Sequence, residues 1–159
     1  TTSLTLCAAA TNLQLTQFLD SAARQLAEAR ASSATAQRVS DVVAAPDVVR
    51  FPIAGAGPAA MSGQVLWSRT RGIVFSGVRF NQPAPGMTYQ LWMNTFGGPV
   101  TAGTFVPDAN GRVTFVSEPP RVTSAVSGAS VTLEPQGGSE QPSDPTRRSR
   151  PAAVVPSTP

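Results

Sequence analysis

The sequence predicts a mostly β protein: an antiparallel β-sandwich of about seven short strands, preceded by an amino-terminal helical stalk. Apolar residues recur every three or four positions before Pro46, which is typical of a helix, and every second position after it, which is typical of strands. The chain also contains 15 prolines and 13 glycines among its 159 residues. Because so many breaks interrupt regular structure, long helices cannot dominate the fold.

The helical pattern begins at Leu13 and continues to about Val43 without a Gly or Pro. Its second half is rich in Ser and Thr, which favours a stalk that packs poorly. Pro46 is expected to end the helix, because the residue before a proline is biased away from helical geometry. The apolar stripe of this helix consists of Leu15, Phe18, Leu19, Ala22, Leu26 and Ala29.

The strand pattern consists of seven runs rich in β-branched and aromatic residues. These runs are residues 48–53, 64–68, 72–80, 88–94, 101–106, 112–116 and 129–134. Turn sequences separate them, including Gly97-Gly98 and Asn110-Gly111, and Asn-Gly favours a tight hairpin. We therefore expect a meander of antiparallel hairpins folded into a sandwich.

Alternation along the runs predicts which side chains form the core. The expected core residues are Val74, Val78, Phe80, Tyr89, Leu91, Met93, Val113, Phe115, Val131 and Leu133, together with Trp67, Trp92 and Phe105.

Composition divides the chain into four segments. Residues 1–12 form an apolar leader, which is either the first turns of the helix or the end of a membrane span cut off upstream. Residues 13–45 form the helical stalk, and residues 46–136 form the β-sandwich domain. Residues 137–159 lack apolar periodicity and are rich in Pro and Arg, which predicts a flexible tail.

The composition removes most catalytic chemistry. The chain has no histidine, no lysine and one cysteine, Cys7, so Ser-His-Asp, Cys-His and Ser-Lys arrangements cannot be assembled. The nine carboxylates are scattered rather than paired, and transition-metal ligands are lacking. We predict that the protein is not an enzyme, with no catalytic residues, no metal site and no cofactor. The net charge of +3, without interleaved aromatic and basic residues, does not indicate a nucleic-acid partner.

Three blocks in a fixed order resemble the C-terminal domain of anti-sigma-K factors. They are Met-Thr-Tyr-Gln-Leu-Trp-Met at 87–93, Thr-Ala-Gly-Thr-Phe at 101–105 and Val-Thr-Leu-Glu-Pro-Gln-Gly-Gly-Ser at 131–139. The segment Ala-Ala-Pro-Asp-Val-Val-Arg at 44–50 is similar to that family's junction between stalk and domain. Together the resemblance covers residues 26 to 142.

The motif residues are expected to be fold determinants rather than ligand contacts. Alternation places Tyr89 and Leu91 on one side of their strand and Gln90 and Trp92 on the other, so both faces of this strand should be covered. Gly103 would permit a close backbone approach or a bulge beside it. The full set of motif residues is Tyr89, Gln90, Leu91, Trp92, Gly103, Thr104, Phe105, Glu134, Pro135, Gly137, Gly138 and Ser139.

The resemblance implies an extracytoplasmic regulatory domain of a membrane-anchored anti-sigma factor, which controls sigma-factor release through regulated proteolysis. The implied localisation is the cell membrane, with a single-pass anchor and this domain on the periplasmic or cell-surface side. The implied partner is a site-specific, membrane-associated protease. A sigma factor would be bound only through a cytoplasmic domain that this sequence does not contain.

Two alternatives remain open from the sequence. One is a structural or adhesive sandwich module that forms a homo-oligomer through the helical stripe around Leu15 and Leu26. The other is a small-molecule binding sandwich, which would need a closed apolar pocket with several convergent polar groups.

Overall fold

A computed structural model describes residues 2–55 and 60–143, with side chains from residue 14 onward. The chain separates into two compact units, residues 1–37 and 38–159. One helix, α1 (Thr2–Val43), is followed by seven strands, so the predicted mostly β fold with a helical amino terminus is confirmed. The strands are β1 (Val49–Ala54), β2 (Ser62–Ser68), β3 (Gly72–Val78), β4 (Met87–Thr95), β5 (Gly98–Phe105), β6 (Val113–Ser117) and β7 (Val126–Pro135).

The first unit consists of helix α1 up to residue 37. Every residue from 14 to 37 is exposed, including the apolar side chains of the stripe. The side chains of this unit make local hydrogen bonds, such as that from Thr35 Oγ1 to the Ala31 carbonyl, 3.0 Å away. No described part of the helix is both long and apolar enough to cross a bilayer. The side chains of the predicted leader, residues 1–12, lie outside the described set.

In the second unit the strands form two antiparallel sheets. One has the order β1-β2-β3-β6 and the other the order β5-β4-β7. Only β1-β2, β2-β3 and β4-β5 are hairpins, so the expected meander is wrong at the connections that follow β3, β5 and β6. The chain instead crosses between the sheets after β3, β5 and β6, because turn sequence specifies a local reversal but not the sheet that the next strand joins.

The Asn110-Gly111 turn is one of these crossings rather than a hairpin. Gly111 has a φ of 70°, and its carbonyl accepts a hydrogen bond from the Phe80 amide at 3.0 Å. Asp108 Oδ1 accepts hydrogen bonds from the amides of Asn110 and Arg112 at 2.9 and 2.8 Å. The turn is therefore tight, as predicted, but it joins β5 of one sheet to β6 of the other and does not close a hairpin.

The core lies between the inner faces of the two sheets. Five aromatic rings contact one another there, the partly buried Tyr89 and Phe115 packing against Phe75, Phe80 and Phe105 with centroid separations of 5.3 to 5.9 Å. Such separations are typical of attractive edge-to-face and offset contacts. The buried members of the core are Phe51, Ile53, Val65, Trp67, Ile73, Phe75, Phe80, Leu91, Met93, Phe105, Val113, Ala129 and Val131.

The core face of β3 differs from the predicted one. Ile73 and Phe75 point into the core, whereas Val78 is 42% exposed on the opposite side of the strand. Phe80 still reaches the core because Arg79 adopts a φ of 63° and reverses the alternation. Non-glycine residues seldom adopt this conformation, so a simple alternation of inward and outward positions could not predict it.

Candidate functional site

The site lies on the outer face of the sheet β5-β4-β7, where side chains that point away from the core are nevertheless buried. Thr88, Gln90 and Trp92 alternate with the core residues of β4, and all three are buried. In β7, Thr132 pairs with Gln90 and Glu134 pairs with Thr88. Because opposed residues of an antiparallel pair share a face, the amide, indole, hydroxyl and carboxylate groups lie together there.

The chain that follows β7 runs back over this face as a strap, residues 136–143. The Gln136 amide bonds to the Gly86 carbonyl at 2.8 Å, and the Gly138 amide bonds to the Pro135 carbonyl at 2.9 Å. Gly137 and Gly138 have φ values of 101° and 83°. Glycine is required for such successive left-handed conformations, which turn the chain over the sheet.

Gln90 holds the strap by two hydrogen bonds to one residue. Its Oε1 accepts from the Ser139 amide at 2.8 Å, and its Nε2 donates to the Ser139 carbonyl at 3.0 Å. Nε2 also donates to Thr101 Oγ1 at 2.7 Å. A Cβ on Gly138 would lie 2.9 Å from Gln90 Oε1 and 3.0 Å from Thr104 Cγ2, so glycine also allows the close approach.

Glu134 is the second attachment, and its side chain is fully buried. Oε1 accepts from Thr132 Oγ1 at 2.5 Å and from the Ser143 amide at 2.9 Å. Oε2 accepts from Ser139 Oγ at 2.7 Å and from Ser143 Oγ. Trp92 Nε1 extends the network by donating to Thr132 Oγ1 at 2.8 Å. Each carboxylate oxygen is therefore satisfied twice by neutral donors.

Burial is the largest single influence on the pKa of Glu134 and raises it. The hydrogen bonds from Ser143, Thr132 and Ser139 together outweigh burial, so the pKa of Glu134 lies below its ordinary value. The ionised form of the carboxylate is thus stabilised although its side chain is fully buried. This arrangement suits a structural attachment and not general acid–base catalysis, which requires contact with a reacting group.

A second polar cluster lies where the chain leaves helix α1. Asp47 Oδ1 accepts from Ser68 Oγ at 2.7 Å, and Oδ2 accepts from the Arg69 amide at 3.0 Å. The Ser68 hydroxyl in turn accepts from the Arg71 amide at 3.0 Å. The hydrogen bond from Ser68 is the main reason that the pKa of Asp47 lies below its ordinary value. Asp47 therefore joins the segment before β1 to the turn between β2 and β3.

A cleft of about 230 Å³ opens beside Tyr89 and is lined by Met61, Arg79 and Leu133 among others. The Tyr89 hydroxyl donates to the Asn81 carbonyl at 3.1 Å. Arg79 Nε and Nη2 donate to the Ala60 carbonyl and to Ser62 Oγ, each at 2.9 Å. These hydrogen bonds direct the Tyr89 hydroxyl and two nitrogens of Arg79 at acceptors of the protein itself.

Within residues 2–55 and 60–143, no three His, Cys, Asp or Glu side chains come together as a metal site would require.

The sequence motif residues fall into three places. Leu91 and Phe105 lie in the core, and Tyr89 packs against it. The pairing of β4 with β5 shifts register beside Gly103, whose φ is 127° and where a Cβ would lie 2.8 Å from the Phe115 ring. The members brought together under or within the strap are Gln90, Trp92, Thr104, Glu134, Pro135, Gly137, Gly138 and Ser139.

Sequence reasoning missed the contributions of Thr132, Ser143 and Asp47. Alternation alone could have placed Thr132 beside Glu134, since they are two residues apart on one strand. Ser143 gave no such signal, because it lies in a segment without periodicity. The structure places residues 137–143 of the predicted tail against the sheet, whereas residues 144–159 lie outside the described set.

Comparison with known proteins identifies a family. The model of the family described as "Anti-sigma-K factor rskA, C-terminal" matches residues 4–149. An uncharacterized protein in the phr 5' region of Streptomyces griseus is 33% identical over 110 residues, which cover 69% of this chain and 44% of that protein. Anti-sigma-K factor RskA of Mycobacterium sp. strain KMS is 36% identical over 110 residues, covering 65% of this chain and 42% of that protein.

The chain spans less than half the length of these curated relatives. No solved structure was found to match it. The family model nevertheless covers the helix, both sheets and the strap. The chain therefore belongs to the anti-sigma-K factor family, in which it corresponds to the C-terminal domain.

Proposed function

We propose that this chain is the extracytoplasmic regulatory domain of a membrane-anchored anti-sigma factor, and that it controls sigma-factor release by governing proteolysis of its own stalk. Anti-sigma factors are regulators of transcription, so the role proposed is contact and transmission rather than chemistry. The sigma factor would be bound by a cytoplasmic part of the whole protein, and the direct partner of this domain would be a membrane-associated protease.

The observation that carries the proposal is the contrast in exposure between the two units. All residues from 14 to 37 are exposed. In the second unit, by contrast, the core and the outer face beneath the strap are buried. Segments with few buried contacts open locally at low free energy, and proteases act on such open states.

The stalk is the proposed site of cleavage, and the sandwich the proposed gatekeeper. The susceptible segment would extend from Ser21 to about Gln37, because Val42 and Ala45 farther along are already buried. A ligand or partner that binds better to one state of the domain would shift the population of cleavable molecules. Residues 1–12 are proposed to continue into a membrane span, and residues 46–143 to form the folded body.

Limited trypsin digestion tests this contrast in exposure between the two units within one chain, because arginines occur in both units. Arg24 and Arg30 lie in the exposed helix, whereas Arg50 lies in β1 and Arg79 is hydrogen-bonded at the end of β3. We expect mass spectrometry to detect cleavage after Arg24 and Arg30 first. Earlier cleavage after Arg50 or Arg79 would contradict the proposed gatekeeper role.

A transcription reporter in cells that carry the full-length protein tests the link to function. Ala31→Gly with Ala34→Gly destabilises the helix by roughly 1 kcal/mol per site, so it should raise cleavage and reporter output. Ser32→Ala with Thr35→Ala should lower both, because alanine favours helix more than serine and threonine do. Output that is equal for the two pairs would argue against control by stalk exposure.

A further inference from the structure

One exposed side of α1 has a heptad spacing of residues that are apolar at every position but Ser33. Seven positions, separated alternately by four and three residues, form a heptad seam: Leu15, Leu19, Ala22, Leu26, Ala29, Ser33 and Ala36. A repeat of 3.5 residues, rather than the 3.6 of a straight helix, keeps one side of a helix facing a partner helix. The period itself therefore indicates another helix as the occupant.

The large residues of the seam are uncovered within this chain. Leu15, Leu19 and Leu26 are 56%, 57% and 52% exposed, and Phe18, which flanks the seam, is 67% exposed. Scattered single apolar residues on a surface need no explanation, but a regular row does. We propose that α1 pairs with α1 of a second copy of this chain as a parallel, in-register, two-stranded coiled coil along the heptad seam.

The charges of the helix permit two copies to meet. Residues 14–37 carry two acids, Asp20 and Glu28, and two bases, Arg24 and Arg30, so their net charge is zero. None of the four occupies the heptad seam. When two copies of the helix meet along the heptad seam, no like charges therefore face each other at the centre of the interface.

The distribution of side-chain size selects the parallel orientation. Leu15, Phe18, Leu19 and Leu26 all precede residue 27, whereas the later seam positions are alanine or serine. A parallel, in-register pair places each leucine against its counterpart. An antiparallel pair that overlaps along the whole segment would place leucines against alanine and serine and leave poorly filled layers between the helices.

The small residues of the second half also set the expected strength. With only three leucines per copy, association should be weak and should depend on protein concentration. This proposal needs neither a sigma factor nor a protease, but a dimer would cover one side of the segment proposed to be cleaved, so trypsin digestion should be done at concentrations where the chain is monomeric. Its failure would leave the stalk's exposure, and hence the proteolysis experiment, unaffected.

Sedimentation equilibrium of the whole chain, over at least a hundredfold range of concentration, tests the interface. We expect the dimer fraction to rise with concentration, and expect Leu19→Glu with Leu26→Glu to abolish the dimer. The matched control is Gln17→Glu with Ala31→Glu, which adds the same charge on the opposite side of the helix and should leave the dimer intact. Far-ultraviolet circular dichroism checks that both variants remain folded.

Monomer at every concentration, or equal loss of dimer in the control, would overturn the proposal. Orientation is tested by disulfide cross-linking with a mild added oxidant in a Cys7→Ser background. Ala22→Cys lies in the heptad seam and should cross-link, whereas Ala31→Cys should not. A dimer in which Ala22→Cys fails to cross-link would rule out the parallel, in-register arrangement.

Discussion

The indole nitrogen of Trp92 donates to the Thr132 hydroxyl at 2.8 Å, and that same hydroxyl donates onward to the buried carboxylate of Glu134 at 2.5 Å. Three residues on two strands are thus joined in series beneath the strap. Because each donor in such a chain polarises the next, the network rigidifies the outer face of the sheet when all its members are satisfied.

Replacing Glu134 with Gln should destabilise the second unit. The amide group brings donors to a place where hydroxyls and a backbone amide already donate, so hydrogen bonds to a charged acceptor are lost. We expect a loss of about 2–3 kcal/mol in the free energy of unfolding, measured by urea denaturation. Glu140→Gln, an exposed change in the strap, is the control and should leave stability within about 0.5 kcal/mol.

Stability should fall in acid because of the same carboxylate. The pKa of Glu134 is lowered by folding, so its contribution to stability is fully present above the unfolded value and is lost as the pH falls through the lower folded value. Asp47, whose pKa is also lowered, acts in the same direction. The stability difference between the native protein and Glu134→Gln should therefore shrink between pH 6 and pH 3. A constant difference would show that ionisation of Glu134 is not involved.

The two tryptophans offer a matched comparison. Both are buried, but Trp92 Nε1 has a partner, whereas Trp67 Nε1 has no hydrogen-bond partner among the described residues. Changing each to Phe removes the nitrogen and part of the ring. We expect Trp92→Phe to lose about 1 kcal/mol more than Trp67→Phe in thermal or urea unfolding, because it alone breaks a hydrogen bond. Equal losses would mean that ring volume alone matters.

Two glycines of β5 separate backbone strain from steric clash. Gly98 and Gly103 have φ values of 113° and 127°, but a Cβ on Gly98 meets nothing within 4 Å, while one on Gly103 meets the Phe115 ring at 2.8 Å. Each Ala substitution should incur strain of about 1–3 kcal/mol. Gly103→Ala should be the more destabilising in urea unfolding, since it must also displace Phe115 from the core.

Local patterns allowed the strands, although not their arrangement, to be predicted. Alternation and turn residues located all seven, with boundaries within a few residues, because both are local properties. The sheet order could not be read in this way, since β3 pairs with β6 and β4 with β7 across long separations. The inward turn of Phe80 depends on the unusual conformation of Arg79, for which the sequence carries no marker.

The candidate site was predicted in part. The family motif pointed to Gln90, Trp92, Glu134 and Ser139, which the structure joins in one network. The strap itself resembled a tail, because its Gly, Ser and Gln residues bury little apolar surface. Its position depends on polar contacts to particular side chains, and such contacts leave no periodic signal in a sequence.

Asp47 is one of the contacts through which a mechanical load would enter the second unit, after the buried side chains of Val42 and Ala45. Tension on the chain from the amino-terminal side reaches Asp47 before it reaches the first pair of the ladder, Val49 with Trp67. The carboxylate is attached to the turn between β2 and β3, so part of the pull would be diverted to that neighbouring hairpin. The edge strand β1 would then be peeled away only after this anchor had broken.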